Sequence, residues 1–426
     1  MSDMSSMSRE NKKRQLRRQI VFSQEAAGRS GMHGDKPDNE EIVRQAQSRA
    51  RRRRLLIVII LLLIVAVGAV AYQIYQRFYR YVSFETSWEI ALNEGSLVGY
   101  ETFGTNVLKY TKDGVSYIDN QGKTVWTESY EMKTPIVAVN GDFAAIADQQ
   151  GNSIYICDLD GRQGQAATIL PVSRIAISGT GVVAAVLEDT TSSYITFFRR
   201  DGSSLDITIK TNMAGDGYPL DLALSQDGTQ LLCSYVYIEN GEMKTRIVFY
   251  DFSEVGKNVP TREVGIFIDP FQGTMAPEVT YLKSPYSCVF TGNGAVFFSS
   301  QNLASPQIVA QADLVDSTIE SVFCSDDYAA MILRENVGEN TSRLEVYRAD
   351  GTHVMTKEFD YEYDKADIDG NLIFLYNENS CKIFNMAGRE KLYAEFDFPI
   401  SRIRRGRFPN TLILTGSQQM REIRLK

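Results

Sequence analysis

The hydrophobic rhythm of the chain changes twice. Residues 1–54 mix Ser, Gln, Arg, Lys and Gly with few apolar positions and no sustained period. Such a segment cannot bury enough surface to offset the entropy of ordering it, so a largely disordered tail is expected. From Leu55 to Tyr72 every residue is uncharged. As a helix this run spans roughly 27 Å, close to the hydrocarbon thickness of a bilayer, and a transmembrane helix is expected over residues 55–74. Tyr72, Tyr75, Phe78, Tyr79 and Tyr81 follow as an interfacial aromatic belt, with a short linker at 75–81. From residue 82 to 426 the helical period gives way to short β-branched and aromatic runs between Gly, Asp, Asn and Ser turns, which is the pattern of a many-stranded all-β domain.

That third region repeats. A strand, a Gly/Asn/Asp turn and a second apolar strand recur at Phe103-Gly104-Thr105-Asn106, Asn140-Gly141-Asp142, Gly179-Thr180-Gly181 and Gln226-Asp227-Gly228. The unit returns at Gly292-Asn293-Gly294, Ser325-Asp326-Asp327, Asp369-Gly370-Asn371 and Phe408-Pro409-Asn410, a spacing of about 44 residues. Downstream lies a second signature, a tight turn ending in glycine: Asp119 to Gly122, Asp158 to Gly161, Asp201-Gly202, Asp350-Gly351 and Asn385 to Gly388. Glycine supplies a positive φ there, so two antiparallel strands can meet. Two hairpins per repeat make a four-stranded sheet, the blade of a β-propeller.

The spacing predicts eight blades, with seven as the alternative because residues 260–318 are the least regular stretch. After Pro399 only three strands fit, and the segment Val82–Leu92 is placed to supply the fourth and close the ring. The competing architecture, a pair of β-sandwiches, calls for a central linker that the sequence does not show.

The strand-Asp-x-x-Gly-x-x-x-Trp pattern at Asp119, Gly122 and Trp126 resembles the repeats of quinoprotein-like (pyrroloquinoline-quinone-type), WD40-like propellers and of bacterial outer-membrane assembly propellers. The layout of basic tail, single anchor and acidic propeller resembles an uncharacterised domain-of-unknown-function family of single-pass membrane proteins of Gram-positive bacteria. The resemblance implies fold and placement. It implies no quinone cofactor, because Trp88 and Trp126 are the only tryptophans and no two cysteines adjoin.

Charge adds direction. Residues 1–54 hold 14 Lys and Arg against 7 Asp and Glu, and residues 73–426 hold 31 against 46, a net of −15. Arg49 and Arg51 to Arg54 abut the apolar run, so the positive-inside rule puts the N-terminus in the cytoplasm and the C-terminal domain outside, at the cell membrane. The alternative is a cleaved signal peptide, since Ala69-Val70-Ala71 resembles a cleavage site; the long leader and long apolar run speak against it. The acidic domain disfavours nucleic acid and favours a protein or neutral glycan partner. Lys12, Lys13, Arg14, Arg17 and Arg18 suit anionic headgroups.

Candidate chemistry is sparse. Cys157, Cys233, Cys288, Cys324 and Cys381 lack any CxxC spacing and are expected as free, buried thiols. His33 and His353 are the only histidines, too few for a His-rich metal site. On a strand, Asp360, Glu362 and Asp364 would share one face and could take a calcium ion. Arg402 and Arg404 would point the same way, toward an anionic group or an acidic blade edge. The loop 269–277 is expected to expose Phe271 and Met275 as contact residues. The reading that follows is a membrane-anchored extracytoplasmic propeller acting as a non-catalytic interaction or assembly platform. Its alternatives are an envelope glycan hydrolase or lyase using face carboxylates, and a single-pass sensor of an extracellular ligand.

Overall fold

The computed structural model describes residues 39–92, 97–314, 317–335 and 342–426. The chain divides after Arg77 into two compact units. In the first, one helix runs from Asn39 to Phe78. Leu55–Tyr72 within it is long and apolar enough to cross a membrane, and none of that stretch is buried against protein. The helix corrects one expectation: residues 39–54, read as part of a disordered tail, continue it upstream. Glu, Gln, Ala and Arg dominate there, all good helix formers, and extending an existing helix requires no new nucleus. The helix also takes in the start of the segment read as a linker. The basic residues between Lys12 and Arg18 lie outside the described residues.

In the second unit the repeating turns build eight four-stranded antiparallel sheets. Blades 1 to 7 occupy residues 97–129, 135–167, 172–212, 218–267, 278–313, 317–359 and 365–395, each a simple meander. Blade 8 takes Arg402–Arg405, Thr411–Thr415 and Gln419–Leu425 from the far end of the chain, and its outer strand is Phe84–Ala91. That strand pairs antiparallel with the last one from Phe84↔Leu425 to Ala91↔Gln419, with a bulge between Thr86 and Trp88. The eight-blade reading and the closure by residues 82–92 both hold. Gly292-Asn293-Gly294 is a turn between two apolar strands, the second and third of blade 5, whereas in most other blades the corresponding turn joins the first and second; in blade 5 those are joined at Leu282 to Pro285 through a cis Ser284–Pro285 bond.

The first strands of successive blades approach one another and line the axis. The apolar core is a set of eight wedges, one between each pair of neighbouring sheets. An isolated blade could not bury both faces, and the closed ring removes that problem. The repeated glycine serves two ends here. Gly202 has φ 84° and Gly351 φ 80°, a region costly for other residues. A Cβ at Gly202 would also sit 2.2 Å from the Gln165 carbonyl oxygen of blade 2, and one at Gly351 2.3 Å from Ala310 of blade 5. At both positions the turn docks its blade against the outer strand of the one before it. Trp126 makes a related link, its indole N–H donating to the Leu159 carbonyl of blade 2 at 3.0 Å.

Candidate functional site

The inner strand of blade 8, Arg402–Arg405, places two guanidinium groups two residues apart and hence on one side of the strand. Arg402 is an internal tie. Its Nη1 donates to Glu101 at 2.8 Å and to the Tyr100 carbonyl at 3.0 Å in blade 1, and its Nη2 to Asp367 at 2.9 Å in blade 7. Burial works against its charge, but Glu101 and Asp367 more than offset this and hold its pKa above the ordinary value. Burial raises the Asp367 carboxyl, against the pull of Arg402. One side chain thus joins three blades across the point where the ring closes.

Arg404 is different. It is 5% exposed, and its Nη1 donates to the Asn106 carbonyl at 2.9 Å. Its Nε has no partner, and burial lowers its pKa to about 10. It lines a cleft of about 860 Å³ with Trp88, Asn106, Gln121, Arg407 and Phe408. The cleft lies where blades 8 and 1 meet, above the smallest apolar wedge of the ring: Tyr100, Val107, Ile118, Ile413 and Met420. The turn after the inner strand supplies its rim, with Phe408 55% exposed and Arg407 open to solvent. Carboxylates line it as well, but two are engaged. Asp119 accepts from the Gln121 and Lys123 N–H groups at 2.8 and 2.9 Å, and Asp369 from the Arg405 N–H at 2.8 Å. Glu422 completes the lining.

Asp360, Glu362 and Asp364 lie in the connection between blades 7 and 6 rather than on a strand. The in–out alternation survives: the three acids are exposed, while Tyr361 and Tyr363 turn inward and meet Ser380 and Ser321 at 2.9 Å. Among the described residues no group of three or more His, Cys, Asp or Glu is placed to hold a metal ion.

Phe271 corrects a second expectation. It ends a short 3-10 helix, Asp269–Phe271, which turns the ring inward, and it is fully buried between blades 4 and 5. There it stacks on Phe298 with centroids 6.5 Å apart, beside Phe249. Met275, four residues on, is 43% exposed. All five cysteines are free; four are buried and Cys324 is half-buried, and burial pushes the Cys157 thiol up to about 12. His353 sits on the surface of blade 6, with Nε2 2.9 Å from Glu345 and 3.1 Å from Thr356.

One pair escaped the sequence reading. Asp221 and Glu278 stand on the inner strands of blades 4 and 5. Burial raises Asp221 to about 6, offset in part by the Val279 N–H it accepts at 2.9 Å and by Arg174. Burial, and then the charge of Asp221, raises Glu278 to about 7. No local pattern marks either residue, because their proximity arises only when the two sheets are side by side.

A family of unknown function (DUF5711) matches residues 77–425. No curated protein matches the chain in sequence. Among solved structures, BamB from Moraxella catarrhalis aligns with a TM-score of 0.50 at 14% identity, over 80% of this chain and 100% of its own. A chain of Kuenenia stuttgartiensis hydrazine synthase aligns with a TM-score of 0.46 at 13% identity, over 72% of this chain and 100% of its own. The Dos1 propeller gives 0.48 at 10% identity, over 80% and 95%. At such identities the likeness is one of fold.

Proposed function

The chain belongs to the family of unknown function DUF5711, and within that family we propose that it acts as a non-catalytic platform for protein binding, held at a membrane by residues 55–74. The observation that carries this reading is the cleft between blades 8 and 1. It is wide and open, and it combines guanidinium groups with Trp88 and exposed Phe408 on a rigid frame. Arg and aromatic side chains are the residue types that dominate binding energy at protein interfaces. The arginines before Leu55 favour a cytoplasmic N-terminus and an extracytoplasmic propeller, in a single-pass arrangement. Such an anchor confines encounters to the membrane surface and raises the effective concentration of a partner held in the same bilayer.

Photo-cross-linking tests the reading. A cross-linking residue at Phe408 in the full chain, in its host's membranes, gives discrete adducts. The same residue at Glu378, in the turn of blade 7 on the opposite face, gives none. Equal adducts at both positions, or none at Phe408, would sink the platform reading at this cleft.

A further inference from the structure

The cleft has a chemistry as well as a shape, and from it we infer that the occupant is a carboxylate carried on an extended acidic segment of a partner protein, with Arg404 as its ligand and Trp88 and Phe408 as its walls. This rests on the platform reading and specifies its partner.

Arg404 carries the argument. A guanidinium has five N–H donors, and in a protein interior each unmet donor costs free energy. Arg404 spends Nη1 on the Asn106 carbonyl and makes no ion pair among the described residues; its Nε is buried without a partner, as are those of Arg402 and Arg421, so Nη2 is the donor group left for a ligand. A carboxylate is the strongest acceptor that a partner protein offers such a donor. Neither Arg404 nor its neighbours Arg405 and Arg407 form an ion pair among the described residues, although residues 73–426 carry a net charge of −15. Nearby Arg402 and Arg421 each take two carboxylates. The charge at Arg404 is held in place, since its acceptor is the backbone carbonyl of Asn106, a residue fixed in the ladder opposite Phe103 and by its own side-chain amide donating to the Tyr117 hydroxyl at 2.8 Å. An Arg so positioned loses little further freedom on binding.

The acids of the cleft narrow the anion. Asp119, Asp369 and Glu422 line the same space as the arginines. A phosphate dianion concentrates both charges on one group and meets repulsion from all three, whereas an extended acidic segment spreads its charges along the chain at about 3.3 Å per residue and brings one carboxylate to Arg404. A peptide also brings N–H donors that Glu422 can accept. The aromatic walls suit the apolar side chains that alternate with acids on an extended segment.

The test uses the full chain in lipid nanodiscs and a fluorescein-labelled hexaglutamate peptide, read by anisotropy. Hexaglutamate binds saturably, and more weakly as salt rises. Arg404→Gln weakens it at least about tenfold, the scale of one charge-assisted pair, and Arg404→Lys weakens it less by keeping charge without the fork. Hexaglutamine does not bind, and inorganic phosphate at equal concentration does not compete. Unaltered affinity in a folded Arg404→Gln protein, binding of hexaglutamine, or displacement by phosphate would each overturn the assignment. Should Arg404→Gln fail to fold, Arg407→Gln and Phe408→Ala at the exposed rim serve instead, and both must weaken hexaglutamate. Adducts at Phe408 without hexaglutamate binding remove this inference and leave the platform; hexaglutamate binding without adducts removes the platform reading alone.

Discussion

Two junctions of the ring are held together in opposite ways. Between blades 4 and 5 the wedge is deep and aromatic, with Phe249, Phe271 and Phe298 fully buried and Phe267 packed against them. At its axial edge Asp221 and Glu278 stand close enough for the charge of Asp221 to raise Glu278, and Arg174 offsets only part of the burial of Asp221. Between blades 8 and 1 the wedge holds five buried residues, and the axial edge carries the tie from Arg402 to Glu101 and Asp367. The contrast teaches where a closed ring can be opened to a ligand. A junction rich in apolar contact tolerates acids that are only partly compensated, while a junction thin in apolar contact relies on an ionic tie and leaves room for a cleft.

Removing the aromatic wedge gives the largest effect. Phe271→Ala empties a fully buried site, and a loss of about 4 kcal/mol in unfolding free energy is expected from denaturant titration. An unchanged midpoint would show that the wedge is not what holds this junction. Arg402→Met comes next. It leaves Glu101 and Asp367 unpaired, and because the tie is partly open to solvent the expected loss is about 2 kcal/mol near neutral pH. The gap from the parent protein narrows as pH falls, since protonating the two acids removes the uncompensated charge. A gap that widened on acidification would refute the ionic account.

The smallest change reverses sign. Asp221 and Glu278 have folded pKa values of about 6 and about 7, above those of the unfolded chain, so the folded state binds their protons more tightly. Their contribution to stability is complete below about pH 4 and is lost as pH rises to about 7. Asp221→Asn keeps an acceptor for the Val279 N–H and removes the repulsion. Thermal melts across pH should then show a flatter profile and a gain of about 1 kcal/mol above pH 7, with none at pH 4. A steeper profile would mean that the two carboxylates do not share a site.

The same contrast explains what was legible in the sequence. Blade number and closure rest on local requirements: a turn that needs a positive φ, such as Gly202 or Gly351, must carry glycine, and docking on the preceding blade admits no side chain there. The first turn of blade 5 was hidden because Ser284-Pro285 replaces the Gly/Asn/Asp signal. Phe271 misled because a single turn of 3-10 helix reverses its direction, and no periodicity registers one turn. The partners of Arg402 and Arg404 on blade 1 lie about 300 residues away in the chain, as do Glu101 and Asn106 from them. Sequence marked the arginines as one basic patch; only the folded ring separates a structural tie that holds two carboxylates from a guanidinium with no ion pair among the described residues.

The pairing of Phe84–Ala91 with Gln419–Leu425 also sets a timetable for synthesis. The strand leaves the ribosome more than 300 residues ahead of its mate, a wait of tens of seconds at ordinary elongation rates. Throughout that interval its hydrogen-bonding edge is open to any passing chain. A chain that lacked Gln419–Leu425 would leave Phe84–Ala91 without its mate and the eighth blade with only Arg402–Arg405 and Thr411–Thr415 paired.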